Sequence, residues 1–161
     1  MNEMSALDLL TFLCAVACGL SAGFFFAFSV GVMQALGKLP PAQGITAMQS
    51  INVAVINPWF MTLFFGAPAA CAFAIAASVL AWQDPRAAWW LAGGLVYVVG
   101  TFFVTMFCNV PRNNALAKAA PASAEAARLW TAYLKEWTAW NHVRTVAALT
   151  AAVAFSIAIY V

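Results

Sequence analysis

The sequence predicts an all-α protein built as a bundle of four transmembrane helices. Of its 161 residues, 65% are hydrophobic and only 7% are charged, whereas soluble domains have roughly a quarter charged residues. Four apolar stretches, near residues 6–33, 58–82, 87–108 and 140–160, are each long enough to cross a bilayer, which takes about 20 residues. They lack the period-two alternation of barrel strands, so helices must satisfy the backbone in lipid. We expect a single integral membrane domain over residues 1–161.

The first span and the connection after it both have helical patterns. The apolar run over residues 6–33 is longer than the roughly 7 to 15 residues of a signal-peptide core, so we expect it to remain in the mature protein. Gly19 and Gly23 have the four-residue spacing of helix contacts and are expected to pack within the bundle, with a dimer contact as the alternative. The following connection repeats apolar residues at helical spacing, at Ile45, Met48, Ile51 and Val55. This repeat predicts a short amphipathic helix near the interface.

The other two connections are a tight turn and a second helical segment. Residues 83–86 read Gln-Asp-Pro-Arg, a polar turn that predicts antiparallel packing of the second and third spans. The third span is expected to end before Pro111, because proline limits the continuation of a regular helix. Ser123 is a suitable N-cap, and the residues after it have high helix propensity. They predict a helical extension that runs into the fourth span.

The basic residues predict an orientation in the membrane. They are concentrated in the first and third connections, at Lys38, Arg112, Lys118, Arg128 and Lys135, whereas the opposite side has Arg86. The positive-inside rule then places both connections in the cytoplasm and both termini outside, with a bacterial inner membrane as the expected location.

Composition and motifs also exclude several functional classes. A scattered net charge of +2 does not suit a nucleic-acid surface, so no nucleic-acid partner is expected. No phosphate loop, nucleophile elbow or His-Glu-x-x-His motif supports a nucleotide enzyme or a hydrolase. The cysteines have no metal-ligand spacing, and the single histidine has no neighbouring carboxylate. We therefore expect no metal site.

Polar and aromatic residues gather at one predicted level of the membrane. Trp137, Asn141 and Arg144 share one helix face, because spacings of four and three residues return to the same side. A guanidinium inside a span is costly unless a partner, water or the interface satisfies it. Asn109 ends the third span and Asn57 precedes the second, so their amides are expected nearby. Amide, indole and guanidinium groups together suit a planar aromatic ligand that carries oxygen atoms.

Each of these residues also has an ordinary structural interpretation. Arg144 can extend to lipid headgroups, the asparagines can cap helix ends, and Trp137 and Trp140 can belong to an interfacial aromatic belt. His142 can act as a general base, since an imidazole exchanges protons near neutral pH, or it can be a packing residue. The spacing alone leaves both interpretations open.

Two motifs carry a resemblance to a known family. Asn109-x-Pro111-x-Asn113 and Trp137-x-x-Trp140-Asn141-x-x-Arg144, with the four spans, resemble the DUF1772 or anthrone oxygenase-like membrane proteins. The resemblance covers almost the entire chain. It implies oxidation of an anthrone-like, phenolic or quinol-type substrate with dioxygen as co-substrate and without a protein-borne redox cofactor. In this chemistry Arg144 would stabilise an anion and His142 would transfer a proton.

These arguments select two groups of candidate residues. The candidate catalytic residues are Arg144, His142, Asn141 and Asn109. The candidate substrate-binding residues are Asn113, Trp137, Trp140, Asn57, Trp59, Phe24 and Phe28, with the asparagines orienting oxygens and the aromatic rings forming the walls. Expected partners are membrane lipids, a small hydrophobic aromatic ligand and a second copy of the chain in a homo-oligomer.

Two other functional classes remain open from the sequence. One is a non-enzymatic bundle that binds or transports a lipid, a quinone or another small hydrophobic molecule, or that supports a membrane complex. The other is a metal-dependent oxidase in which His142 binds the metal together with Met or Cys residues.

Overall fold

Helices contain nearly all of the chain that the computed structural model describes, which is residues 5–161. The five helices are α1 (Ala6–Gly37), α2 (Pro41–Ala54), α3 (Pro58–Leu80), α4 (Ala87–Ala117) and α5 (Ala124–Ala158). No strand occurs within residues 5–161. The predicted all-α fold class is confirmed.

The four long helices pack in a ring in the order α1, α3, α4, α5. Helices α1 and α4 each contact both α3 and α5. Of these helices, α1, α3 and α4 are long and apolar enough to cross a membrane. At 35 residues α5 is the longest helix, but Asn141, His142 and Arg144 make its C-terminal half less apolar. The fourth span and the orientation in the membrane therefore stay predictions.

Two glycines on α4 allow its neighbours to approach closely. A Cβ atom at Gly94 would lie 2.6 Å from Ile75 Cγ1 and 2.9 Å from the Cys71 carbonyl oxygen, both on α3. A Cβ atom at Gly100 would lie 2.6 Å from the Cβ of Ala147 on α5. These distances are too short for a side chain, so the contacts of α4 with α3 and α5 depend on glycine.

The predicted packing of Gly19 and Gly23 within the bundle is wrong. A Cβ atom added at either position would meet no described atom within 4 Å. The inward face of α1 instead carries Cys14, Cys18 and Phe25, all of which are buried. Gly19 follows Cys18 directly, and consecutive residues of a helix are rotated by about 100°, so Gly19 faces outward.

An ion-pair cluster joins α1 to the turn between α3 and α4. The Arg86 guanidinium contacts the Asp8 carboxylate, and its Nη2 lies 2.8 Å from Asp84 Oδ2. Its hydrogen bonds to Asp84 lower the pKa of that carboxyl to about 2. The positive charge of Arg86 is thus offset by two carboxylates at this end of the bundle.

The amphipathic helix predicted in the first connection is confirmed as α2, which packs across the other end of the bundle. Ile45 and Met48 are completely or almost completely buried in a cluster with Leu116 and Trp130. Gln49 Nε2 donates to the carbonyl oxygens of Leu116 at 2.9 Å and Ala119 at 3.1 Å. Leu116 lies in the last turn of α4 and Ala119 lies two residues beyond it, so the hydrogen bonds tie α2 to the C-terminal end of that helix.

The prediction that Pro111 ends the third helix is wrong, because α4 continues through it to Ala117. Two π-helical segments, Val98–Phe103 and Thr105–Asn109, precede the proline. Pro111 then lies in the first turn of the α-helical part that begins at Val110, where a missing N–H is best tolerated. A third π segment, Phe28–Val32, interrupts α1, and such segments often occur near functional sites.

The helical extension predicted before the fourth span is also confirmed. The Ser123 hydroxyl accepts a hydrogen bond from the Ala126 N–H at 3.0 Å, and α5 then continues without a break to Ala158.

We expect Gly94→Ala to destabilise the bundle by about 1–3 kcal/mol, because the new methyl group meets backbone that cannot move aside. Gly19→Ala is the matched control, since it adds the same methyl group where there is space. It should be neutral or slightly stabilising. Thermal unfolding of both variants in detergent measures the difference, and equal melting temperatures would contradict the close packing of α3 and α4.

Candidate functional site

The Arg144 side chain lies between two aromatic rings inside the bundle. Its Cζ atom is 4.2 Å from the centroid of the Phe25 ring and 4.8 Å from that of the Trp137 ring. The residue is only 5% exposed. Within residues 5–161, no carboxylate lies within 4 Å of its guanidinium. Ring faces and neutral hydrogen-bonding groups therefore stabilise the charge, as expected for a cation–π arrangement.

Asn141 fixes the orientation of the guanidinium. Arg144 Nε donates to Asn141 Oδ1 at 2.7 Å. The Asn141 amide nitrogen donates in turn to the Phe25 carbonyl oxygen at 2.7 Å and to the Ser29 hydroxyl. These acceptors lie just before and within the π segment of α1. One fully buried amide thus holds both the cation and the helix that carries the ring beneath it.

The other side of the guanidinium faces α4 and the cavity. Nη1 of Arg144 donates to the Thr105 hydroxyl at 3.4 Å, a long hydrogen bond. The Thr101 hydroxyl donates to the Arg144 backbone carbonyl at 3.2 Å. No other described residue accepts from the remaining guanidinium N–H groups, and Arg144 lines the cavity. The site therefore presents unused donors, which suit an oxygen acceptor on a ligand.

Asn113 braces the indole ring that covers the guanidinium. Its Oδ1 accepts from Trp137 Nε1 and from the Tyr133 hydroxyl, both at 2.8 Å. The Tyr133 ring stacks on Trp137 with centroids 5.9 Å apart. Asn109 also holds Trp137, because its Nδ2 donates to the Trp137 carbonyl oxygen at 3.1 Å. Asn113 and Asn109 thus position Trp137, and the buried Oδ1 of Asn109 has no partner among residues 5–161.

A cavity of about 370 Å³ lies beside this cluster and is lined by residues from all five helices. This volume is within the usual range for small-molecule sites. The apolar part of its wall includes Phe24, Phe28, Met48, Ile51, Phe60, Phe64 and Trp137. The polar part is formed by Gln49, Asn52, Thr105, Asn113, Asn114 and Arg144. The cavity therefore combines aromatic walls with a cation and a few amide or hydroxyl groups.

Six predicted site residues do not line this cavity. Asn141 and Asn109 lie behind its wall, where they hold Arg144 and Trp137, and the other four lie elsewhere. His142 is exposed, because it follows the inward-facing Asn141 and is rotated by about 100° from it. Trp140 is 36% exposed, and Trp59 is 89% exposed. Asn57 caps α3 by accepting from the Phe60 N–H at 3.1 Å. These residues are exposed or cap a helix, and the fold does not bring them to the guanidinium.

Several residues at the site were not predicted. Phe25, Thr105 and Asn52 line the cavity and are not among the residues that the sequence predicts for the site. One signal was present, because Thr101, Thr105 and Asn109 recur every four residues in an otherwise apolar span. Asn52 had no comparable signal, since its place in the cavity depends on how α2 crosses the bundle.

A known protein family matches the part of the sequence that contains Arg144 and most of the residues around it. The sequence profile of the family described as anthrone oxygenase matches residues 60–154, more than half of the 161-residue chain. The chain belongs to the anthrone oxygenase family. The matched segment contains Asn113, Trp137, Asn141 and Arg144, and it leaves out α1 and α2. Searches of curated proteins and of solved structures found no match.

The cavity wall consists of apolar, aromatic and mostly neutral polar residues. Within residues 5–161, no three His, Cys, Asp or Glu side chains are grouped so that they could hold a metal ion. Arg144 is the one charged residue among those that line the cavity.

We expect Asn141→Ala to destabilise the protein by about 2–4 kcal/mol, because it removes three buried hydrogen bonds and leaves the Arg144 charge less satisfied. His142→Ala changes the adjacent, exposed residue and should have little effect. Thermal or denaturant unfolding in detergent compares the two variants. Similar stabilities would show that Asn141 does not hold the site together.

Proposed function

We propose that this protein is a membrane oxygenase that binds a planar, oxygenated aromatic molecule as its anion and oxidises it with dioxygen. The observation that carries the proposal is the buried Arg144 guanidinium, which faces an aromatic-walled cavity and has no carboxylate counter-ion among the described residues. Membership in the anthrone oxygenase family supports the same reaction class.

Anion stabilisation is the main contribution that the cavity makes to this chemistry. In a site shielded from water, a fixed cation interacts more strongly with an anionic oxygen than it does in solvent. The free N–H groups of Arg144 would bind the substrate oxygen, while the rings of Phe24, Phe28 and Phe60 would contact its aromatic faces. Binding in this way lowers the pKa of an anthrone, phenol or quinol and increases the population of its conjugate base.

The conjugate base of an anthrone supplies the electrons for the reaction. Loss of a proton from the CH₂ carbon gives an enolate, and that carbon forms a C–O bond to dioxygen. Cleavage of the O–O bond with loss of the second C–H proton then gives a ketone and water. One oxygen atom enters the product and the other leaves as water, so no protein-borne redox cofactor is needed.

The first proton goes to water or buffer at the cavity mouth in this proposal. None of the residues lining the cavity is Asp, Glu or His. The substrate anion is favoured by Arg144, and a protein base is not required.

Arg144→Gln should lower the rate of anthrone oxidation at least about 100-fold, in line with the removal of one transition-state donor from other enzymes. Arg144→Lys should restore only part of the rate, since a lysine lacks the planar face that stacks between two rings. Dioxygen uptake and product absorbance in lipid nanodiscs measure the effect. Arg112→Gln is the control, because Arg112 pairs with Glu136 outside the cavity. A wild-type rate for Arg144→Gln would refute the proposal.

His142→Gln should leave the rate of anthrone oxidation unchanged. The imidazole is exposed and does not line the cavity, so it is not placed to take a proton from a ligand there. Rates measured from pH 6 to 9 should be superimposable for the variant and the wild type. A large loss in the variant that hydroxide or added imidazole restores would instead identify His142 as the base.

A second function is favoured by one feature of the cavity. Val53 and Ile56 line it and are 73% and 70% exposed, so its apolar wall continues to the outside of the protein. This continuity suits a non-enzymatic bundle that binds a lipid or quinone. Mass spectrometry of protein purified in mild detergent distinguishes the two functions. A stoichiometric lipid, with no dioxygen uptake from any anthrone or quinol, would favour the binding function.

A further inference from the structure

The cavity beside Arg144 opens sideways between α3 and α4. These two helices pack closely along the part of α4 from Ala87 to Phe103, but they do not pack closely along the part that follows. Helix α2 leaves this gap open, because it packs on α1, α4 and α5 and not closely on α3. Ile56, just before α3, and Asn114, on α4, both line the cavity and are exposed. The cavity therefore reaches the outer surface of the bundle.

The opening lies where two membrane-spanning helices diverge. Both α3 and α4 are long and apolar enough to cross a membrane. Val53 and Ile56 give the opening an exposed apolar edge before α3 begins at Pro58. Phe64 lines the cavity six residues further into α3, which is about 9 Å along the helix axis. The opening thus extends from the end of a span into its apolar part, where lipid surrounds the protein.

Aromatic rings line the way from this opening to the guanidinium. Phe64, Phe60, Phe24, Phe28 and Trp137 all line the cavity, and successive ring centroids are 6.0, 5.0, 4.9 and 6.0 Å apart. The planes of the first two rings are nearly parallel, at 12°. Aromatic molecules pair with such rings in offset or edge-to-face contacts. The wall therefore favours a flat aromatic ligand over a lipid chain.

The path to the guanidinium is uncharged until Arg144 itself. Among the described residues that line the cavity, Arg144 is the one charged residue, and the other polar ones are amides or a hydroxyl. An anion that crossed the apolar edge at Val53 and Ile56 would lose its hydration before it reached a cation. A neutral aromatic molecule in the bilayer has no such hydration to lose. The ligand that this path suits is therefore neutral when it enters.

We propose that the opening between α3 and α4 is a lateral entrance for a neutral aromatic molecule dissolved in the bilayer. Val53 and Ile56 set the width of its apolar edge, and the ligand loses its proton only beside Arg144. The substrate class is then an aromatic carbon acid or phenol that partitions into hydrocarbon. The inference rests on the proposed function, because it takes an aromatic ligand to bind at Arg144.

The rates at which anthraquinone binds and leaves test the entrance. The protein is placed in nanodiscs of neutral phosphatidylcholine without dioxygen, and stopped-flow quenching of tryptophan fluorescence gives both rate constants. The paired change Val53→Phe and Ile56→Phe narrows the opening, so it should lower the association and dissociation rate constants by about tenfold each. The dissociation constant should stay the same, because a barrier on the path slows entry and exit equally.

The matched control is the pair Val79→Phe and Leu80→Phe. These residues are also exposed, but they lie at the other end of α3 and outside the cavity, so both rate constants should remain at the wild-type values. If the phenylalanine pair at the opening is not stable, Val53→Ala with Ile56→Ala is the second variant. It widens the opening and should raise both rate constants, and unchanged or lower rates would contradict the inference.

The outcomes separate the entrance from the proposed function. If the phenylalanine pair at the opening binds at wild-type rates, alters only dissociation, or slows no more than the control, the entrance is elsewhere. The proposed function then stands, because anthraquinone still reaches its site. If the wild-type protein binds no anthraquinone, both the inference and the proposed function are wrong. Equal slowing of entry and exit, with the control unchanged, supports the inference.

A sulfonated anthraquinone distinguishes entry from the bilayer from entry from water. It has the same ring system, but its permanent charge keeps it out of the hydrocarbon. If ligands enter from the bilayer, the sulfonate should associate with the wild-type protein more slowly than anthraquinone. If ligands enter from water, attraction to Arg144 should make the sulfonate the faster of the two. An equal or faster rate for the sulfonate would therefore overturn the lateral entrance.

Discussion

The buried charge of Arg144 is the constraint on which the arrangement of this protein depends. A guanidinium in an apolar bundle loses its hydration, and without compensation this loss costs several kcal/mol. The protein compensates with two ring faces and one amide, and no described carboxylate neutralises the charge. An acidic partner would have neutralised the guanidinium, and the ion pair would not attract an anionic ligand. The neutral partners leave a net positive charge beside a cavity.

The surroundings of the guanidinium are organised to keep these partners in place. Asn141 joins the cation to the α1 backbone next to a π segment, and Asn113 fixes the indole of Trp137 from the other side. The π segments of α4 end where it meets this cluster. Such fixed groups need little rearrangement when charge develops on a ligand, which is the main requirement for electrostatic catalysis.

The two ends of the bundle have different kinds of structure. At one end, Arg86 is neutralised by Asp8 and Asp84, and the adjoining core is closed by cysteine, alanine and aromatic side chains. At the other end, α2 crosses over an open cavity whose cation is not neutralised. Between the two ends, Gly94 and Gly100 allow α4 to pack tightly against α3 and α5.

Local periodicity in the sequence determined the helices, the amphipathic pattern of α2 and the shared face of Trp137, Asn141 and Arg144, because each depends on neighbours within a few turns. Tertiary structure decided the rest. Phe25 lies under the guanidinium and Asn52 reaches the cavity only because of how whole helices are rotated against one another. The outward position of Gly19 has the same origin, since spacing defines a helix face but not the partner that it meets.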